Sequence, residues 1–135
     1  MSIGSWDPQA GQASQDKAID KELLRRFLTI AKNDEMDNLA TTLTTDDQKA
    51  HALMLAGFSQ WQAAVEPLSD AQLIDLMRFF SLVEMQLPDW YAGPKSPVIH
   101  LNKILRQRGG KLDTATLQWM RAHSTNRFIP NGAVL

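Results

Sequence analysis

The stretch at residues 73–87 limits the fold of this chain more than any other part of the sequence. At the 3.6-residue period of an α-helix, its apolar side chains occupy nearly every angular position, and Asp75, Arg78 and Glu84 interrupt them. A helix that is apolar on almost all sides is stable in water when other elements surround it. We therefore expect a buried central helix at about residues 70–87, with the three charged side chains near its rim or paired.

Capping signals predict where the neighbouring helices begin and end. Ser69 fits the N-cap of a capping box before the central helix. Ser96, followed by a proline, fits the start of the next helix, which Gly109-Gly110 is expected to end. Asp113 is expected to cap a last helix that runs to about Ser124, and residues 126–135 are expected to be irregular.

Apolar stripes at helical spacing predict three helices on the N-terminal side of the central one. They are expected at residues 16–33, at residues 35–43, and from a capping box at Thr45 to Pro67, with Gly57 as a weak point. Residues 1–14 lack this periodicity and are expected to form a flexible or extended arm. The predicted fold is all-α: a single-domain bundle of five to six helices formed by residues 15–135.

The residue types that carry most enzyme chemistry are missing or scattered. The chain has no cysteine, which excludes disulfides, thiol catalysis and cysteine-bound metals. His51, His100 and His123 have no partner at metal-ligand spacing, and the sequence contains no nucleophile motif or phosphate-binding loop. We therefore expect no catalytic residue, no metal and no cofactor, and the sequence favours a non-enzyme.

The start of the chain and its hydropathy indicate a location. Its N-terminal residues contain no basic region followed by an apolar run, as a secretory signal would. No stretch reaches the ~18 uninterrupted apolar residues of a membrane span. Together with the absence of cysteine, these features predict a cytoplasmic protein that does not enter a membrane.

Charge is distributed very unevenly along the chain, although the net charge is only −1. Residues 1–94 contain seven Lys and Arg against 14 Asp and Glu, whereas residues 95–135 contain seven Lys and Arg against one acidic residue. Either the basic third packs on the acidic part or is simply solvated, or it meets an anionic partner. The candidate binding residues are Lys103, Arg106, Arg108, Lys111, Arg121 and Arg127.

Residues 98–123 also have the general form of a helix-turn-helix. The sequence ILRQRGGKLDTATL within this range resembles the opening of some winged-helix domains. The resemblance implies nucleic-acid binding through the same basic residues. A calculated pI of about 6.3, below that of dedicated nucleic-acid binders, ranks this alternative second.

A loop with two adjacent aromatic residues supplies a third hypothesis. Trp90 and Tyr91 lie in a Pro- and Gly-containing loop, followed by His100 in the next helix. The pair either covers the core as a lid or presents a contact surface. A small ligand or substrate could then bind in a pocket between helices near Trp90 and His100.

The sequence as a whole favours an interaction function. The first hypothesis is a non-enzymatic cytoplasmic interaction or adaptor protein that uses the basic C-terminal surface. Its partner is another protein or a second copy of the chain, since opposite charge at the two ends favours head-to-tail contact. Nucleic acid is the less favoured partner.

Overall fold

The helices of the protein are arranged around the long apolar one that the sequence predicts at its centre. The computed structural model describes residues 18–132, so the predicted arm at residues 1–14 lies outside the described residues. Within that range the protein is an all-α single domain with seven α-helices and no β-strand. In chain order the helices are α1 (Lys21–Lys32), α2 (Leu39–Thr42), α3 (Thr45–Gln48), α4 (Phe58–Val65), α5 (Asp70–Gln86), α6 (Pro97–Gln107) and α7 (Thr114–His123). Three 3₁₀-helices join them: Lys49–Leu55, Pro88–Trp90 and Gly93–Lys95.

The central helix α5 is covered by most of the other elements. It contacts α1, α2, α6, α7 and the 3₁₀-helix Pro88–Trp90, while α4 packs on α6. Asp75 and Arg78 are partly exposed and form an ion pair, with Oδ1 and Nη1 4.0 Å apart. Glu84 is buried, and its partner is Asn126 rather than a cation. The apolar surface of α5 is therefore shared among helices from both halves of the chain.

An aromatic cluster connects α1, α4 and the 3₁₀-helix Pro88–Trp90 to α5. Phe27 of α1 stacks on Phe79 with ring centroids 4.2 Å apart, and it meets Phe80 edge-on at 5.9 Å. Trp61 of α4 contacts Phe80 at 5.3 Å, and Trp90 contacts Phe27 at 6.0 Å. Each such pair adds about 0.5–1.5 kcal/mol to the stabilisation that comes from burying its area. The cluster links α1, α4, α5 and the 3₁₀-helix Pro88–Trp90.

Three predicted helix starts are confirmed by their hydrogen bonds. The Ser69 hydroxyl accepts the amide hydrogen of Gln72 at 3.2 Å, and the Gln72 side chain accepts that of Ser69 at 2.9 Å. The Ser96 hydroxyl accepts an amide hydrogen in the first turn of α6 at 3.2 Å. The Asp113 carboxylate accepts the amide hydrogen of Thr116 at 2.7 Å. These side chains satisfy amide groups that a helix leaves unpaired at its start.

The predicted glycine stop of α6 is also confirmed. Gly109 has a φ of +87°, in the left-handed region that glycine adopts without a steric penalty. Its amide donates to the carbonyl oxygen of Arg106 at 3.0 Å, and the amide of Gly110 donates to that of Leu105 at 3.0 Å. This pair of bonds is a Schellman motif, which sets the direction in which the chain leaves α6.

The prediction of one helix from Thr45 to Pro67 is wrong. This part of the chain contains α3, the 3₁₀-helix Lys49–Leu55 and α4, with extended backbone at Ala56 and Gly57. Because glycine is a weak helix former, the chain breaks at this position, which the sequence marks as a weak point. The N-cap of α3 is Thr44, whose hydroxyl accepts an amide hydrogen of the first turn at 3.0 Å.

Two other N-terminal helices are shorter than predicted. The first begins at Lys21, after Asp20, whose carboxylate accepts the amide hydrogen of Glu22 at 2.9 Å. Asp20 is therefore the N-cap of α1. The predicted helix at 35–43 is a single turn, α2, and Gln86 binds its start by accepting the amide hydrogen of Leu39 at 2.6 Å.

Replacing Gly109 with alanine should lower the free energy of unfolding by about 1 kcal/mol, because alanine is strained at a positive φ. A Cβ atom there would meet nothing within 4 Å, so backbone strain is the whole expected effect. Gly110→Ala tests a different cost, since its Cβ would lie 2.8 Å from Cδ1 of Leu105. Urea unfolding measures both, and a Gly109→Ala variant as stable as the wild type would contradict the role of this glycine.

Candidate binding site

The last described segment, residues 126–132, is irregular as predicted, yet buried side chains fix it to the helices. Asn126 is buried, and its Nδ2 donates to Oε1 of Glu84 at 2.9 Å and to the carbonyl oxygen of Gly93 at 3.1 Å. Its side-chain oxygen accepts the amide hydrogen of Phe128 at 3.0 Å. One asparagine therefore ties the segment to α5 and to the 3₁₀-helix Gly93–Lys95.

Burial of Glu84 changes the protonation equilibrium of its carboxyl group. The residue is only 2% exposed, and burial is the main cause that raises the pKa of its carboxyl group. Hydrogen bonds from the side chains of Asn126 and Ser96 and from the backbone of Ala92 lower the same pKa, but by less. The interior of the protein therefore favours the neutral form of this glutamate.

A second asparagine holds the end of the segment. Asn102 of α6 is buried, and its Nδ2 donates to the carbonyl oxygen of Pro130 at 3.2 Å and to Oδ1 of Asn131 at 3.3 Å. Asn131 itself is exposed. Its amide oxygen is used in this bond, and its NH₂ group forms no hydrogen bond within residues 18–132, so that group can donate to a ligand.

Two clefts lie between the 126–132 segment and the last two helices. The α6 cleft has a volume of about 430 Å³ and the α7 cleft one of about 350 Å³. Asn131 lines both of them, so the clefts adjoin at that residue. The other residues of the α6 cleft are Ile99, Asn102, Lys103, Arg106, Gln107 and Pro130. Those of the α7 cleft are Met120, Arg121, Asn126, Arg127, Ile129 and Gly132.

Four of the six predicted binding residues line these clefts, and we call them together the basic surface. Lys103 and Arg106 line the α6 cleft, whereas Arg121 and Arg127 line the α7 cleft. Neither lining includes an acidic residue from the described part of the chain. Within residues 18–132 none of the four forms an ion pair, although Nζ of Lys103 lies 4.6 Å from the ring centroid of Phe58. No carboxylate of residues 18–132 therefore balances their charge in an ion pair.

The other two predicted binding residues lie away from the clefts. Lys111 is exposed and lines neither of them. The Arg108 side chain is 27% exposed and lies 3.4 Å from Oδ1 of Asp70. Its guanidinium group also donates at 2.6–3.3 Å to three carbonyl oxygens at the end of α4 and just after it, those of Val65, Glu66 and Leu68. Arg108 therefore serves the fold, as a cation at a helix C-terminus does.

The aromatic loop does not contribute to the clefts. Trp90 is 1% exposed, and its Nε1 donates to the carbonyl oxygen of Gln48 at 3.1 Å, so its ring belongs to the core. Tyr91 is half exposed, and His100 is partly buried beside Phe58. Burial, followed by the charge of Lys103, lowers the pKa of His100 and favours its neutral form. Neither cleft is lined by any of these three candidate pocket residues.

Residues 18–132 meet the requirements of neither a metal site nor a membrane span. In this range no group of three or more His, Asp or Glu side chains is arranged to hold a metal ion. None of the helices described is long and apolar enough to cross a membrane. What the clefts offer is positive charge, amide donors and aliphatic surface.

Sequence reasoning missed the three asparagines that shape the site. Asn102 was detectable in principle, because it lies between Leu101 and Ile104 on the apolar stripe of α6, where a polar side chain needs a buried partner. Asn126 and Asn131 carry no such signal. Their role depends on the path of the chain after α7.

Replacing Arg108 with alanine should lower the free energy of unfolding by about 1–2 kcal/mol, because charge-assisted hydrogen bonds to backbone carbonyls are lost. Arg106→Ala is the matched control, since Arg106 lies two residues earlier, in the last turn of α6, but is exposed and has no ion pair within the described residues. Urea unfolding compares them. Equal effects would show that Arg108 does not serve the end of α4.

Glu84→Gln should flatten the pH dependence of stability. Because the pKa of Glu84 is raised in the folded state, the folded protein binds this proton more tightly than the unfolded chain does. The stability that this proton contributes is therefore fully present below the ordinary glutamate pKa of about 4.3, and it is lost as pH rises through the higher pKa of the folded state. Glutamine keeps the acceptor for Asn126 and cannot ionise. The free energy of unfolding, measured with urea at several pH values in this range, should fall less steeply with pH in the variant than in the wild type. Parallel pH dependences would contradict the raised pKa of Glu84.

Comparison of this chain with models of protein families, with curated proteins and with solved structures finds no match. The functional inference therefore starts from the two clefts and the charges that line them.

Proposed function

We propose that the protein is a non-enzymatic cytoplasmic interaction module that binds an acidic protein partner at the basic surface. The observation that carries this proposal is the gathering of four cations around two adjoining clefts whose linings include no acidic residue from the described chain. Like charges brought together on a surface repel one another. An anionic partner removes that repulsion, and the gain appears as binding affinity and as a faster association rate.

The charge of the remaining surface supports directional docking. Residues 1–94 carry twice as many acidic as basic residues. Several of the acidic side chains have partners within the protein: Asp47 accepts two hydrogen bonds from Arg26, Asp75 pairs with Arg78, and Asp70 lies beside Arg108. Within residues 18–132 the acidic part makes one ion pair with the basic third, and that pair does not involve the basic surface. An acidic partner is attracted to the basic surface and repelled by the exposed acidic residues elsewhere in the chain.

Nucleic-acid binding remains the second candidate, and one observation counts against it. The predicted helix pair exists, with α6 and α7 separated by the Gly109-Gly110 turn. Helix-turn-helix domains read DNA with a helix that enters the major groove. No helix follows α7 within the described residues, and the 126–132 segment packs beside α6 and α7 instead.

The double variant Arg121→Glu/Arg127→Glu should weaken binding of an acidic probe by at least about tenfold, since charge pairs of this kind contribute more than 1.4 kcal/mol in close contact. The probe is a fluorescein-labelled polyglutamate peptide, followed by fluorescence anisotropy at ~20 mM salt, where screening is weak. Wild-type affinity should fall as salt is raised.

Lys111→Glu is the matched control, because it reverses a charge in the same basic third but outside both clefts. Its effect on affinity should be much smaller than that of the double variant. The proposed function would be refuted if the wild type did not bind the probe at low salt. It would also be refuted if the control lost as much affinity per reversed charge as the double variant.

A further inference from the structure

We infer that the partner presents a segment that combines acidic and aliphatic side chains and lies across Pro130 and Asn131, with a carboxylate in each cleft. This inference rests on the proposed function and specifies the partner for the same surface.

The position follows from the residue that the clefts share. Asn131 lines both clefts, so a single extended ligand can enter the two of them without leaving the surface. An extended chain rises about 3.3 Å per residue, and alternate side chains lie on the same face. Two acidic side chains of one segment can therefore reach the cations on opposite sides of Asn131. The amide nitrogen of Asn131, whose oxygen is held by Asn102, is available to donate to the ligand between them.

The chemistry of the ligand follows from what lies between the cations. The apolar surface of the clefts is aliphatic, and no aromatic residue belongs to the linings that the structure describes. Ile99 is partly exposed and the four cations add their methylene groups, whereas Met120, Ile129 and Pro130 also line the clefts but are largely buried. Single-stranded nucleic acids gain about 1–3 kcal/mol per base by stacking on aromatic rings, which this surface lacks. Leucine-like side chains gain by covering aliphatic surface. The combination fits an acidic and aliphatic peptide better than a polynucleotide.

The floor of the site is arranged before any ligand arrives. Asn126 and Asn102 anchor the two ends of the segment with buried hydrogen bonds, and Ile129 and Pro130 between them are buried. Binding to a preorganised surface avoids the cost of ordering it. The ordering cost then falls on the partner segment and on the exposed cationic side chains.

Asn131→Asp is the test of position. Aspartate keeps an oxygen that accepts the hydrogen bond from Asn102, so the fold is expected to be retained, while a negative charge replaces a donor where the clefts meet. Asn38→Asp adds the same charge at an exposed residue that forms no side-chain cap and lies outside both clefts. The probe is a fluorescein-labelled peptide in which glutamate and leucine alternate. We expect Asn131→Asp to weaken its binding at least about tenfold and Asn38→Asp to change it less than about twofold.

Two further probes test the chemistry: a peptide of equal length in which glutamate alternates with serine, and a single-stranded DNA of equal charge. The glutamate-leucine peptide should bind at least about tenfold more tightly than either, because its leucines cover aliphatic surface. In ¹⁵N-labelled protein it should shift the side-chain amide signal of Asn131 and leave that of Asn38 in place.

Each remaining outcome overturns the inference without ambiguity. Equal affinity for the leucine and serine peptides removes the aliphatic component, although polyglutamate binding at the basic surface would still support the proposed function. Tighter binding of the DNA replaces the peptide with a polynucleotide as the partner. If Asn38→Asp loses as much affinity as Asn131→Asp, the added charge acts at long range and Asn131 is not at the centre of the site.

Discussion

The structure depends on covering the apolar circumference of α5. No single neighbour can do this, because apolar side chains such as Leu73, Met77, Phe80 and Val83 are all fully buried. The helices α1, α2, α6 and α7 and the 3₁₀-helix Pro88–Trp90 share the task. Segments far apart in the sequence are thereby brought onto one helix. The basic surface is a result of that arrangement, since α6, α7 and the 126–132 segment meet beside the same core.

The buried end of α5 explains how an irregular segment can form part of a defined site. Glu84 would be costly in an apolar interior without partners. Asn126 supplies one, and the same bond fixes the first residue of the segment that separates the two clefts. A hydrogen bond from an amide can be accepted by either protonation state of the carboxyl group. The floor of the site therefore keeps its anchor while the stability of the protein changes with pH.

Much of the fold could be predicted from sequence because its signals are local. The caps at Ser69, Ser96 and Asp113 and the glycine stop at Gly109 depend on hydrogen bonds within a few residues, and all four are confirmed. Gly57 marks the break before α4, but the 3₁₀-helix Lys49–Leu55 has no such local signal, because apolar residues at helical spacing fit either one helix or several short ones. In the structure α4 packs on α6, a contact that the sequence does not reveal.

The candidate site was partly predictable from the distribution of charge along the chain. Charge polarity along the chain identified the basic third, but it could not distinguish a cation used by the fold from one left on the surface. Arg106 and Arg108 illustrate the limit: they are two residues apart, yet one lines the α6 cleft and the other binds carbonyl groups after α4. The difference arises because successive residues of a helix point in different directions and α4 approaches on one side only. Composition sets how much charge a surface can carry, whereas tertiary packing decides which of those charges a partner can reach.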